Sequence, residues 1–135
     1  MIKARFIIQA MGSPKELLEK TIKTMLESLK KTFKTENEHV EKPEKSGKEF
    51  YTSFLEITIS FKDLSELFLF MINYSPASAE ILEPYKFELS AGELENFAND
   101  FLGKLHELDK QLKTQISLNK LLSRKVIRSN TKGKL

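Results

Sequence analysis

Apolar positions alternate at the start of this chain and fall into helical spacing further on. From Ala4 to Met11, Phe6 and Ile8 point one way and Ile7 the other, which predicts a strand with apolar groups on both faces. Gly12 ends it. Ser13-Pro14-Lys15-Glu16 then carries a serine cap, a proline for the first helical position and an early glutamate, and Leu18, Ile22, Met25, Leu26, Leu29 and Phe33 follow at helical spacing. Phe33 to Lys42 is a polar segment that suits an edge strand, its charges discouraging edge-to-edge pairing. Pro43 to Gly47 is turn chemistry, expected at a mobile hairpin tip. Glu49 to Phe61 has the strongest strand pattern: Tyr51, Leu55, Ile57, Ile59 and Phe61 share one face, Phe50 and Phe54 the other.

Asp63 with Glu66 caps a second helix whose stripe is Leu64, Leu67, Phe68, Met71 and Ile72, closed at Ser75-Pro76. Ala79 to Leu82 is a short strand, and Tyr85 to Leu89 an extended lead into the last element. The order is strand, helix, strand, strand, helix, strand. It predicts an α+β protein: a ferredoxin-like βαββαβ sandwich, followed by a long C-terminal helix. Strands one and three become central. Ile7, Phe50 and Phe54 then need cover on the face away from the two helices, from the start of the long helix or from a partner subunit.

The last third carries the longest pattern. Ser90 and Glu93 form a capping box before an apolar run. Leu94, Ala98, Phe101, Leu105, Leu108 and Leu112 recur at alternating spacings of four and three, and Gln115, Asn119, Leu122 and Val126 continue the period. Phe97, Leu102, Ile116, Leu118 and Leu121 flank this seam. A helix of about 37 residues would be roughly 55 Å long, against a radius of gyration near ~14 Å for a compact domain of this chain length. The seam therefore predicts a coiled coil with a partner helix. The alternative is a break near Ser117 that folds the helix back as a hairpin. Gln115 and Asn119 fit the role of polar seam residues that set register. The predicted divisions are 1–89 for the sheet domain, 90–128 for the helix and 129–135 for a basic tail.

Charge sharpens the picture. The chain carries net −5 over residues 1–109 and +8 over 110–135, with no acidic side chain after Asp109. Two such helices laid antiparallel would face acid to base, so the expected assembly is an antiparallel homodimer, with a tetramer as the next option. Lys113, Lys120, Arg124, Lys125 and Arg128 are the candidate contacts for an anionic partner, an acidic protein or a nucleic acid. A charge run is more often a solvated face or a salt-bridge surface, and the scarcity of arginine weighs against bidentate phosphate recognition. The lysine and glutamate bias is a composition met in thermophile proteins.

There is no cysteine, which removes disulfides, zinc–thiolate sites and thiol nucleophiles. No signal peptide or bilayer-spanning run is legible, so a cytoplasmic location is expected and no membrane span. His39 falls on a polar edge strand and His106 off the leucine seam; both suit surface positions better than a metal site, and no metal or other cofactor is expected. No serine sits in a nucleophile motif and no carboxylate pair stands on a catalytic scaffold, so no catalytic residue is assigned and an enzyme is not expected. Phe50, Tyr51 and Phe54 lack the basic-Gly-aromatic pattern of base-stacking sheets, and core or subunit packing suits them better.

Ser78-Ala79-Glu80-Ile81-Leu82-Glu83-Pro84, followed by Glu88-Leu89-Ser90-Ala91-Gly92-Glu93-Leu94, resembles small uncharacterised archaeal proteins with a C-terminal coiled coil. The first 89 residues resemble ferredoxin-like domains at the level of the fold. These resemblances imply architecture and no activity. The expected function is a non-enzymatic, oligomerising protein-interaction module. The alternatives are nucleic-acid binding through the basic helix end and, by fold analogy, a small-molecule regulatory domain.

Overall fold

The computed structural model describes the backbone of residues 1–133 and the side chains of residues 1–127. Along the chain run β1 (Ile2–Gly12), α1 (Lys15–Thr32), β2 (Lys34–Val40), β3 (Glu44–Ser46), β4 (Phe50–Phe61), α2 (Leu64–Tyr74), β5 (Ser78–Glu83) and α3 (Ala91–Gly133). The protein is α+β, with an antiparallel sheet ordered β2-β4-β1-β5, β3 also pairing β4, and a long C-terminal helix. It divides into two compact units, Met1–Glu93 and a second beginning at Leu94.

β1 and β4 pair in continuous register from Ile2 opposite Phe61 to Gly12 opposite Tyr51. Their alternation puts Ala4, Phe6 and Ile8 beside Leu55, Ile57, Ile59 and Phe61 on one face, all buried. α1 meets that face with Leu18, Ile22 and Leu29, and α2 with Leu67 and Phe70, each set spaced to lie on one side of its helix. Phe70 is ringed by Phe6 at 4.6 Å, Phe61 at 5.5 Å and Phe33 at 5.6 Å between ring centroids. Such pairs add about 0.5–1.5 kcal/mol each beyond the area they bury.

The opposite face differs from the expectation of apolar cover on both sides. Ile7 and Phe54 are half-buried there and Phe50 is exposed, but their neighbours are charged. Lys3 Nζ lies 2.8 Å from Glu36, and Arg5 from β1 stands between Glu56 on β4 and Glu80 on β5. Counter-charges one or two strands away hold these residues on a polar face. The charges are distant in sequence and meet only through the register.

Three local expectations also need correction. The N-cap of α1 is Pro14 and not Ser13; no side chain caps it, and Pro14 O accepts from Leu17 N and Leu18 N. Glu44–Ser46, expected in a turn, forms β3 against β4, and the turn moves to Gly47, whose φ of 74° favours glycine. Between β2 and β3, Glu41 N still donates to Phe54 O at 2.9 Å, so the two short strands follow one edge of β4. Residues 84–90 are irregular rather than extended, and Tyr85 is almost fully exposed. The cap of α2 is as the sequence indicates: Glu66 N donates to Asp63 Oδ1 at 2.9 Å, and Ser75 closes the helix in the left-handed region.

Candidate assembly surface

α3 begins where the sequence places it. Glu93 N donates to Ser90 Oγ at 3.1 Å and Ser90 N to Glu93 Oε2 at 3.4 Å, satisfying two donors that a helix start leaves open. The helix then continues for 43 residues, about 65 Å. It passes through Ser117 without a break, so the hairpin alternative is not adopted. Thr114 Oγ1 donates back to Lys110 O at 2.9 Å, which accommodates its hydroxyl within the helix.

The spacing of four and three places the predicted seam on one stripe of this helix. Ala98 and Phe101 are half-buried. Leu94, Leu105, Leu108, Leu112, Leu122 and Val126 are exposed by 38–59%, and Gln115 and Asn119 lie exposed among them. The flanking Leu102, Ile116 and Leu118 are also exposed and widen the stripe. Ile127, absent from the sequence reading, is exposed as well but lies in line with Lys113 and Lys120, off the seam.

The charges keep off the stripe. Lys113 Nζ is 2.8 Å from Asp109 Oδ2, one turn away, and Lys104 Nζ is 3.8 Å from Glu107. The hydrogen bond to Asp109, with its negative charge, raises the Lys113 ammonium above its ordinary value. Lys110, Lys113, Lys120 and Arg124 fall on one line along the side of the helix away from the seam, with Ser117 between them. Lys125 stands apart from this line, beside the seam. The side chains of Arg128 and of the 129–135 tail lie outside the described residues. The predicted anion contacts therefore share one side only as far as Lys113, Lys120 and Arg124.

Elsewhere the two histidines are exposed, with His39 Nε2 2.9 Å from Glu41 Oε2, a pair the sequence reading missed. Among the described residues no cluster of three or more His, Cys, Asp or Glu is arranged to hold a metal ion, and no helix is long and apolar enough to cross a membrane.

These features define an α+β protein with an antiparallel sheet and a long helix bearing an apolar seam. Residues 3–127 match the model of the MJ0538 family, and the chain belongs to that family. No curated protein and no solved structure matches it.

Proposed function

We propose that the protein is a non-enzymatic assembly module that pairs with a second copy of itself through the seam of α3. The observation that carries this reading is the single unbroken helix with Leu105, Leu108, Leu112, Leu122 and Val126 exposed along one stripe. Each leucine withdrawn from water contributes about 1.5–3 kcal/mol, so a few such layers in each chain are enough to offset the entropy of association. The sheet unit serves as a rigid platform, of the ferredoxin-like kind in our reading. Its antiparallel order, with β1 and β4 central, β2 and β5 at the edges and both short helices on one face, supports that assignment.

The test is Leu108→Glu, which sets a carboxylate in the middle of the seam. The wild type is expected to be a dimer and the variant a monomer, by light-scattering mass after size exclusion. An unchanged mass in the variant removes the seam from the assembly.

A second reading rests on the line formed by Lys110, Lys113, Lys120 and Arg124. It faces away from the seam, so a dimer would keep it free for an anionic partner. If that partner is a nucleic acid, retention on immobilised RNA or DNA falls steeply with salt. Reversing Lys120 and Arg124 to glutamate then abolishes retention and leaves the mass of the dimer unchanged. A wild type that is not retained at low salt ends this reading.

A further inference from the structure

Resting on the proposed self-assembly, we infer that the two α3 helices lie parallel and in register, with Asn119 facing Asn119 of the second copy. The gross charge segregation points the other way, toward an antiparallel pair. Charges on the outer sides of two helices interact through water, however, where screening acts over about 8 Å at physiological salt. The residues in the seam and at its borders touch directly, and they decide.

In the heptad set by the seam, Leu105, Leu112, Asn119 and Val126 occupy the first position, a, and Leu108, Gln115 and Leu122 the fourth, d. Parallel helices in register face each layer with its own copy. Leucine then meets leucine, Gln115 meets Gln115 and Asn119 meets Asn119, so each polar side chain finds a hydrogen-bonding partner inside the interface. An asparagine at a single a position is a known device for fixing register and stoichiometry.

The antiparallel register that sets acid against base instead places Gln115 opposite Leu105 and Asn119 opposite Phe101. Four polar side chains per dimer then lose water to an apolar neighbour without gaining a partner. A shifted antiparallel register does match Gln115 with Asn119, but it overlaps residues 101–133, which hold two acidic side chains against eight basic ones, and leaves Leu94 and Ala98 without a facing layer. Neither of these antiparallel registers satisfies the charges and the polar layers together.

The borders agree with the parallel pair. Lys104 precedes its seam layer and Asp109 follows the next one, the two positions that meet across a parallel coiled coil. Lys104 of one helix thus comes beside Asp109 of the other, and Asp109 is already turned along the helix by its contact with Lys113. Phe97 and Leu102 stand in the same relation one heptad earlier and would extend the apolar contact.

The chain has no cysteine, so a single introduced thiol reports on orientation without background. Leu122, the site of Leu122→Cys, is exposed in the single chain. In the parallel dimer the two thiols face each other within disulfide reach, about 4.4–6.8 Å between Cα atoms. In the acid-to-base antiparallel dimer they stand some twenty-four residues apart, roughly 36 Å along the axis. With oxidised glutathione, Leu122→Cys is expected to convert mostly to a covalent dimer that dithiothreitol reverses.

Should this variant lose the dimer, Val126→Cys repeats the test one layer further on. A dimer by mass that fails to cross-link at either position overturns the parallel arrangement, and cross-linking only when Leu122→Cys is mixed with Ala98→Cys would establish the antiparallel one. A wild type that is monomeric by mass overturns the self-assembly itself, so the two failures are distinguishable.

Discussion

Ser90 and Glu93 hold each other's backbone amides at the start of α3: Glu93 N reaches Ser90 Oγ at 3.1 Å, and Ser90 N reaches Glu93 Oε2 at 3.4 Å. The helix therefore has a defined first turn. Ser90→Ala removes one acceptor and is expected to cost about 1 kcal/mol there, seen as roughly five-fold faster amide exchange at Glu93. Exchange unchanged from wild type would mean that the cap does not set the helix start.

Gly103 sits within α3, on the side opposite the seam, and a Cβ built there meets nothing within 4 Å. Gly103→Ala is expected to stabilise the helix by about 0.5–1 kcal/mol. Thermal melting followed by circular dichroism at 222 nm should show a higher midpoint, with the solution mass unchanged. A change of mass would place this side of the helix in an interface.

Glu38 follows the bulge that Asn37 makes in β2, where φ is 54° and the pairing with β4 shifts register. Its own backbone amide and the Thr35 hydroxyl, 2.9 Å away, donate to its carboxylate and hold it below its ordinary value of 4.5. A carboxyl depressed on folding contributes stability that is present above the unfolded value and is lost as pH falls through the folded one. The side-chain titration of Glu38 by NMR is thus expected to have its midpoint below 4.5, and Thr35→Ala to move it upward. A midpoint unchanged by Thr35→Ala would show that the hydroxyl does not hold the carboxylate.

Local chemistry was the legible part of this fold. The caps at Asp63 and Ser90 and the long period of α3 each follow from residues three or four apart. The buried faces of β1 and β4 were legible as well, because alternation is local. Cross-strand relations were not. Arg5 is separated from Glu56 and Glu80 by long stretches of chain, and only the register places a charge beside Ile7 and Phe54 on what looked like a second apolar face. β3 was hidden for a related reason: Glu44–Ser46 has turn-like composition, and its pairing with β4 supplies the order that its own residues lack. On α3 the seam could be read residue by residue. The line of Lys110, Lys113, Lys120 and Arg124 emerges only when the helix is known to run unbroken past Ser117.

The exposed seam of α3 is proposed to join two copies of the chain. The most direct measurement is light-scattering mass after size exclusion, at low and high salt, with absorbance recorded at 260 and 280 nm. A dimer free of nucleic acid is expected at both salt concentrations, because leucine layers and not screened surface charges hold it together. A monomer at both would contradict it, as would a peak that carries nucleic acid and loses it with added salt; the basic side of the helix would then be the functional one.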